Sequence, residues 1–118
     1  MKIEHPLRLG RGLNERLHWT VANVRNRKVA TAIGWLLGGH RKPLPPVTFI
    51  LTRISPAQTQ MDDDNLAGAW KAGRDEIARW VGIDDGKKHM VRYRYRGERG
   101  PWGIRIETRP GVDTQEGD

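Results

Sequence analysis

The stretch VTFILTRI, residues 47–54, constrains the fold more than any other part of this chain. It is short and rich in β-branched and aromatic residues, which is typical of a β-strand. Its odd and even positions are both largely apolar or neutral, so neither face of the strand suits water. The stretch therefore predicts a central strand that is covered on both sides.

Two helices are predicted, one on each side of this strand in the sequence. The second is the clearer one, because five residues recur at the spacing of one helical face. They are Leu66, Trp70, Gly73, Ile77 and Trp80, and Gly82 is expected to end the helix. The first helix is predicted from a cap at Asn14 to glycines 38 and 39. Its expected apolar positions are Leu17, Val21, Val24, Val29, Ile33 and Leu36.

The C-terminal part alternates in the way that exposed strands do. Val91, Tyr93 and Tyr95 are expected on one face, with Arg92, Arg94 and Arg96 on the other. A turn over residues 97–101 leads to Trp102, Ile104 and Ile106, which alternate with Gly103, Arg105 and Glu107. The two stretches predict an antiparallel hairpin with an apolar face and a basic face.

These elements together predict a mixed α/β (α+β) domain. We expect a small mixed sheet, with the antiparallel C-terminal hairpin packed against the two main helices. Residues 1–13 contain Pro6, Gly10 and Gly12 and predict an extended segment with a short strand. Residues 1–109 are expected to form a single domain, because 118 residues suit no more than one. Residues 110–118 lack an apolar pattern and are expected to be a disordered tail.

The charge balance indicates an anionic partner. The chain has 21 Lys and Arg against 14 Asp and Glu, a net charge of +7, and nucleic acid is the first candidate. The absence of cysteine excludes disulfides, thiolate zinc sites and cysteine nucleophiles. No apolar run approaches the roughly 20 residues of a membrane helix, and the N-terminus lacks the apolar stretch of a signal peptide. We therefore expect no membrane partner and a cytoplasmic location.

Against this basic background the acids are concentrated in two places. Asp62, Asp63 and Asp64 precede the second helix, and Asp84 and Asp85 follow it. Aspartates before a helix are typical caps, and Asp before Gly is common in turns. Alternatively, Asp62 and Asp64 alternate in an extended lead-in, so that both carboxylates point to one side, as a hard divalent cation requires. A helix of about 16 residues spans about 24 Å, so both acidic groups share a metal only through folding back or through a second subunit.

The order of these residues resembles the RusA family of Holliday junction resolvases, of the type found in phages and prophages. The likeness covers roughly residues 45–109. The family has an Asp-x-Asp-Asn-Leu start to a helix, a lysine with an aspartate four residues later, and Asp-Asp before a strand. The matching residues here are Asp62, Asp64, Asn65, Leu66, Lys71, Asp75, Asp84 and Asp85. The usual lysine position, four residues after the second motif aspartate, is Gly68 in this chain, and Lys71 lies about one helical turn further on.

The resemblance implies a Mg²⁺-dependent homodimer that resolves four-way DNA junctions by paired, symmetric incisions. It implies that Asp62, Asp64 and Asp85 are catalytic metal ligands, with Asp84 as a further ligand, and that Lys71 is a catalytic or DNA-contacting cation. Mn²⁺ is an alternative metal, because it also binds oxygen ligands. The expected DNA contacts are basic residues of the helix, the turn and the strand after it: Lys71, Arg74, Lys87, Lys88, Arg92, Arg94 and Arg96.

Physical chemistry supports the same function without the resemblance. A protein that binds a phosphodiester backbone should be basic, and a nuclease that cuts it with a divalent ion needs a local group of carboxylates. Two alternatives stay open. One is a basic nucleic-acid-binding protein without catalysis, whose aspartates only cap a helix. The other is a structure-specific nuclease that acts on other branched or single-stranded DNA.

Overall fold

A computed structural model of the chain describes residues 1–10, 19–82 and 90–112. Four strands and two helices make up this part of the chain. In order they are β1 (Lys2–His5), α1 (Trp19–Gly38), β2 (Val47–Ser55), α2 (Asp63–Val81), β3 (Val91–Arg99) and β4 (Gly103–Pro110). The predicted mixed α+β class is confirmed, and none of the described helices is long and apolar enough to cross a membrane.

The four strands form one mixed sheet in the order β1-β4-β2-β3. β2 pairs with β3 in parallel and with β4 antiparallel, and β1 pairs with β4 antiparallel. A parallel neighbour needs a crossover, and α2 supplies it between β2 and β3. Eight of the nine β2 residues are buried, which confirms the prediction of a central, covered strand.

The predicted C-terminal hairpin is wrong. β3 and β4 are consecutive and antiparallel to each other, but β2 lies between them in the sheet. Their connection passes the end of β2, where the Gly100 N–H donates to the Ser55 carbonyl at 2.9 Å. A strand as apolar as β2 cannot leave one edge of its hydrogen-bond ladder open to water, so it takes a partner on each side.

Both helices pack against one face of the sheet. The core joins Phe49, Leu51, Ile104 and Ile106 of the sheet to side chains of both helices, which include Val29, Ile33, Leu37, Trp70 and Ile77. The predicted α2 stripe is confirmed, with Leu66, Trp70, Gly73 and Ile77 buried and Trp80 packed against the core. α1 lies close to α2 at Gly73, because a Cβ there would stand 2.6 Å from Cδ1 of Ile33.

The prediction for α1 needs one correction. Val24 is 44% exposed, and Leu37, which the predicted pattern omitted, is fully buried. Residues 29, 33 and 37 form one face at intervals of four, and Val24 falls outside it. The predicted cap Asn14 and the core position Leu17 lie outside the described residues.

The other face of the sheet carries the predicted basic residues. Arg92, Arg94 and Arg96 pair with Thr48, Ile50 and Thr52 of β2, whose side chains point away from the helices. At the C-terminus, Pro110 still belongs to β4 and pairs with Val47, and the Gly111 N–H donates to Pro46 O at 2.8 Å. The sheet thus extends past the predicted domain end at 109, and residues 113–118 lie outside the described part.

Candidate functional site

Asp62 is the N-cap of α2. Its backbone is extended (φ −71°, ψ 172°), and its Oδ1 accepts hydrogen bonds from the backbone N–H of Asn65 at 3.0 Å and from Asn65 Nδ2 at 2.9 Å. These bonds satisfy a backbone donor that has no partner within the helix, which is why the helix begins at the next residue. One of the two predicted roles for the acids, helix capping, is therefore confirmed for Asp62.

The predicted extended alternation of Asp62 and Asp64 is wrong. Asp63 and Asp64 already belong to the first turn of α2, so successive side chains rotate by about 100° and do not alternate between two sides. The cap bond of Asp62 accounts for this difference, because the helix starts at Asp63, two residues earlier than an extended lead-in through Asp64 allows. All three carboxylates remain exposed, and the positive end of the helix dipole stabilises their charge.

The second oxygen of Asp62 is open to a further ligand. The cap bonds both use Oδ1, and Oδ2 accepts no hydrogen bond from any described residue. A carboxylate can donate one oxygen to a metal while the other accepts N–H bonds. Helix capping and metal binding by Asp62 are therefore compatible.

The other predicted metal ligands fall outside the described part of the chain. Within residues 1–10, 19–82 and 90–112 there is no group of three or more His, Asp or Glu residues able to hold a metal ion. Asp84 and Asp85 lie in residues 83–89, which the structure does not describe, so the predicted cluster of Asp62, Asp64 and Asp85 stays a prediction. α2 has 19 residues, which places its ends about 28 Å apart.

Lys71 pairs with Asp75, the aspartate that follows it by four residues in the motif. Its Nζ lies 3.5 Å from Oδ2 of Asp75, one turn toward the C-terminus, and the side chain is 72% exposed. The guanidinium of Arg74 lies 4.0 Å from the other oxygen of Asp75 and 5.8 Å from the centre of the Tyr93 ring. In this conformation Lys71 is directed away from Asp64, and a rotamer change would bring it toward the first turn.

The predicted DNA contacts divide between two surfaces. Lys71 and Arg74 lie on α2, whereas Arg92, Arg94 and Arg96 lie on the sheet face turned away from the helices. Arg96 is exposed, and Arg92 and Arg94 are half-buried and take part in further interactions. Lys87 and Lys88 lie outside the described residues.

Part of the basic sheet face is neutralised within the chain. Arg105 donates to both carboxylate oxygens of Glu98, at 3.2 and 2.8 Å, and its Nε lies 3.4 Å from Glu4. The hydrogen bonds from Arg105 hold the pKa of Glu98 below its usual value, and the same bonds raise the pKa of Arg105. Arg105 is therefore a structural ion-pair partner, whereas Arg96 is an exposed cation of this face.

A third basic feature was missed from the sequence. Arg8, Arg25, Arg53 and Trp102 line a cavity of about 540 Å³ at the end of β2. Arg53 is 5% exposed, and its side chain lies on the helix side of the sheet. The sequence feature that could have indicated this cavity is Arg53 itself, because it lies within an otherwise apolar or neutral strand. A charged residue at such a position requires a specific partner.

The chain was compared with models of known protein families, with curated proteins and with solved structures, and none of the three comparisons gave a match.

The cap geometry predicts different outcomes for two substitutions of Asp62. Asp62→Ala should lower the free energy of unfolding by about 1 kcal/mol, because the Asn65 N–H loses its acceptor. Asp62→Asn should leave it within about 0.5 kcal/mol, because the amide oxygen still accepts that bond. Urea denaturation measures both values. An equal loss in the two variants would assign the effect to the charge of Asp62 and not to its cap bond.

Proposed function

We propose that the chain is a Mg²⁺-dependent endonuclease that resolves four-way DNA junctions by paired incisions, as its likeness to RusA-family resolvases implies. The observation that carries the proposal is the exposed acidic turn at the start of α2, Asp62 to Asp64, in a chain of net charge +7. A basic chain attracts the DNA backbone, and carboxylates grouped at one point hold a divalent ion next to it.

The proposed role of Asp62 and Asp64 is to ligate the ion through free carboxylate oxygens. Asp62 offers Oδ2, and its bonds to Asn65 fix the orientation of the carboxylate before any ion arrives. A bound Mg²⁺ supplies charge neutralisation at the scissile phosphate and lowers the pKa of a water molecule. The third ligand in this proposal is Asp85, with Asp84 as the alternative, as the family resemblance implies. Mn²⁺ can replace Mg²⁺ at such an oxygen site.

Lys71 and Arg74 are proposed to contact the DNA backbone beside the acids. Both lie on α2, and Lys71 is more exposed than its partner Asp75. Its pairing at 3.5 Å is between solvent-exposed groups, which exchange partners at little cost. Arg96 is the exposed candidate for a phosphate contact on the opposite sheet face.

The cap bond of Asp62 favours a second candidate function. An aspartate that caps a helix needs no metal to explain its presence, so the chain would then be a basic nucleic-acid-binding protein without catalysis. A third candidate keeps the catalytic function but changes the substrate: a nuclease that acts on other branched or single-stranded DNA. Incubation with junction, flap and single-stranded substrates in Mg²⁺, beside a linear duplex, separates the three: no cleavage with retained binding favours the binding protein, and the preferred substrate defines the nuclease.

Three single substitutions in one helical turn test the proposed ligands. Asp62→Asn and Asp64→Asn should abolish cleavage of a four-way junction in Mg²⁺, because each removes a charged metal ligand. Asp63→Asn is the matched control, since it removes the same charge from the same turn and should keep most of the activity. Junction binding in EDTA should be unchanged or tighter in all three, because each loses a negative charge. Wild-type cleavage rates in Asp62→Asn and Asp64→Asn would contradict the proposed metal site.

We also propose that the chain acts as a symmetric homodimer. A four-way junction offers two equivalent strands related by a two-fold axis, and a dimer presents one acidic turn to each. Trp35 is 82% exposed and Val24 is 44% exposed. The two residues are eleven positions apart on α1, about three helical turns, so they lie on the same outer face. Leu44 is 88% exposed in the connection that follows. Large apolar side chains of this kind are enriched where subunits meet.

Trp35→Glu should convert the dimer to a monomer, because it places a charge in the proposed apolar interface. Asn26→Glu is the matched control, since Asn26 is an exposed residue of α1 with no apolar surface to lose. Sedimentation velocity at micromolar concentration, with and without junction DNA, measures the mass. A wild-type chain that stays monomeric on the junction and still makes paired incisions would contradict the proposed dimer.

A further inference from the structure

The loop between β2 and α2 turns back toward the sheet just before the acidic turn. β2 ends at Ser55, and Asp62 is the N-cap of α2. Residues 56–59 are exposed, whereas Gln60 and Met61 are half-buried. The loop therefore runs out over the surface and returns to the protein at Gln60, two residues before the cap.

The side chain of Gln60 joins the two ends of this loop. Its Oε1 accepts a hydrogen bond from Ser55 Oγ at 3.3 Å, and its Nε2 donates to the carbonyl oxygen of Ala57 at 2.9 Å. Ser55 is fully buried, and its own carbonyl oxygen accepts from the Gly100 N–H at 2.9 Å. Because a glutamine amide has both a donor and an acceptor, one side chain ties the loop to a buried strand end and to the loop backbone.

The neighbouring strand β3 leaves space for Gln60 at Gly97. A Cβ at Gly97 would stand 2.7 Å from Cβ of Gln60 and 3.2 Å from its Cγ. These atoms form the base of the Gln60 side chain and cannot move away without the loop backbone. Gly97 follows Tyr95 and Tyr93 at intervals of two, and both tyrosines pack against the core, so it belongs to the strand face that the helices cover. Gln60 thus rests on the sheet on the same side as α2.

This anchor acts on Asp62 through a very short piece of chain. Gln60 and Asp62 are two residues apart, so their Cα atoms are separated by at most about 7 Å. On the other side, the carbonyl oxygen of Asp62 accepts from the N–H of Leu66 at 2.9 Å, and Leu66 is buried in the core. Asp62 is therefore held between Gln60 on the sheet and Leu66 in the helix.

We propose that Gln60 is a positioning residue for the metal site of the acidic turn. It holds the backbone of Asp62 in place relative to α2, so that the carboxylates of Asp62 and Asp64 are arranged for one ion before that ion binds. The inference rests on the metal binding proposed above for these two residues. A site whose ligands are already held binds its ion more tightly, because less conformational freedom is lost on binding. Gln60 acts only through Asp62 and contacts neither the ion nor DNA.

Gln60→Ala tests this role, and Gln58→Ala is the matched control. Both variants lose a glutamine side chain from the same loop, but Gln58 is exposed. The EPR signal of free Mn²⁺ in a titration without DNA measures the dissociation constant of the ion. Gln60→Ala should raise that constant about tenfold, as loss of a residue that supports a ligand does, and Gln58→Ala should leave it unchanged. The affinity for a four-way junction in EDTA should not change in either variant, because neither residue is charged.

Two further variants assign the effect to the anchor itself. Ser55→Ala should also raise the Mn²⁺ dissociation constant, and it should add little to Gln60→Ala, because the bond between the two side chains is then already lost. Gly97→Ala keeps both hydrogen-bonding side chains but places a methyl group 2.7 Å from Cβ of Gln60, so it should raise the constant as well. Effects of Ser55→Ala and Gln60→Ala that simply multiply would contradict a shared role.

Equal Mn²⁺ affinity in wild type and Gln60→Ala would overturn the proposal. A lower urea midpoint for Gln60→Ala with unchanged Mn²⁺ affinity would also overturn it, because Gln60 would then stabilise the fold without positioning a ligand. Failure of the proposed function gives a different result: a wild-type chain that binds no Mn²⁺ would overturn the metal site and this inference together. The comparison of wild type with Gln60→Ala therefore separates the two failures.

Discussion

The fold depends on the burial of β2 on both faces and its pairing at both edges. A nine-residue strand with eight buried residues needs a neighbour on each side, and β3 and β4 supply the parallel and the antiparallel ladder. The parallel ladder requires α2 as a crossover, which places the start of α2 at the end of β2 where Ser55 lies. The arginine cavity and the acidic turn are both consequences of that arrangement, because both follow from where β2 ends.

The cap bonds of Asp62 are compatible with the catalytic role that we propose for the same side chain. Oδ1 accepts both hydrogen bonds from Asn65, and Oδ2 remains for a ligand. The cap fixes the backbone at the residue where the proposed metal binds, so the carboxylate is oriented before the ion arrives. In the proposed function, the net charge of +7 attracts the anionic DNA backbone, and the acidic turn supplies carboxylates of the kind that a divalent ion requires.

The sequence predicted the elements better than their pairing. The spacing of apolar residues from Leu66 to Ile77 and the apolar run of β2 predicted which residues are buried. Both predictions are confirmed. The predicted hairpin was wrong for a physical reason. Alternation in residues 91–106 shows which side chains share a face of each strand, but it does not show which strand lies next to it. Both β3 and β4 pair with β2. The cavity was missed because Arg8, Arg25, Arg53 and Trp102 share no sequence spacing and meet only through the fold. For the acids, helix capping was one of two roles predicted for Asp62 to Asp64; it is confirmed for Asp62, and the helix begins earlier than predicted.

The most direct test of the account is whether a divalent ion binds at the first turn of α2. Mn²⁺ broadens the NMR signals of nearby amides, so a titration at substoichiometric Mn²⁺ locates the ion without DNA and without catalysis. The account predicts that the amide signals of Asp63, Asp64 and Asn65 disappear first in wild type and survive in Asp62→Asn combined with Asp64→Asn. Signals that survive in wild type, or broaden evenly along the chain, would contradict a metal site at this turn.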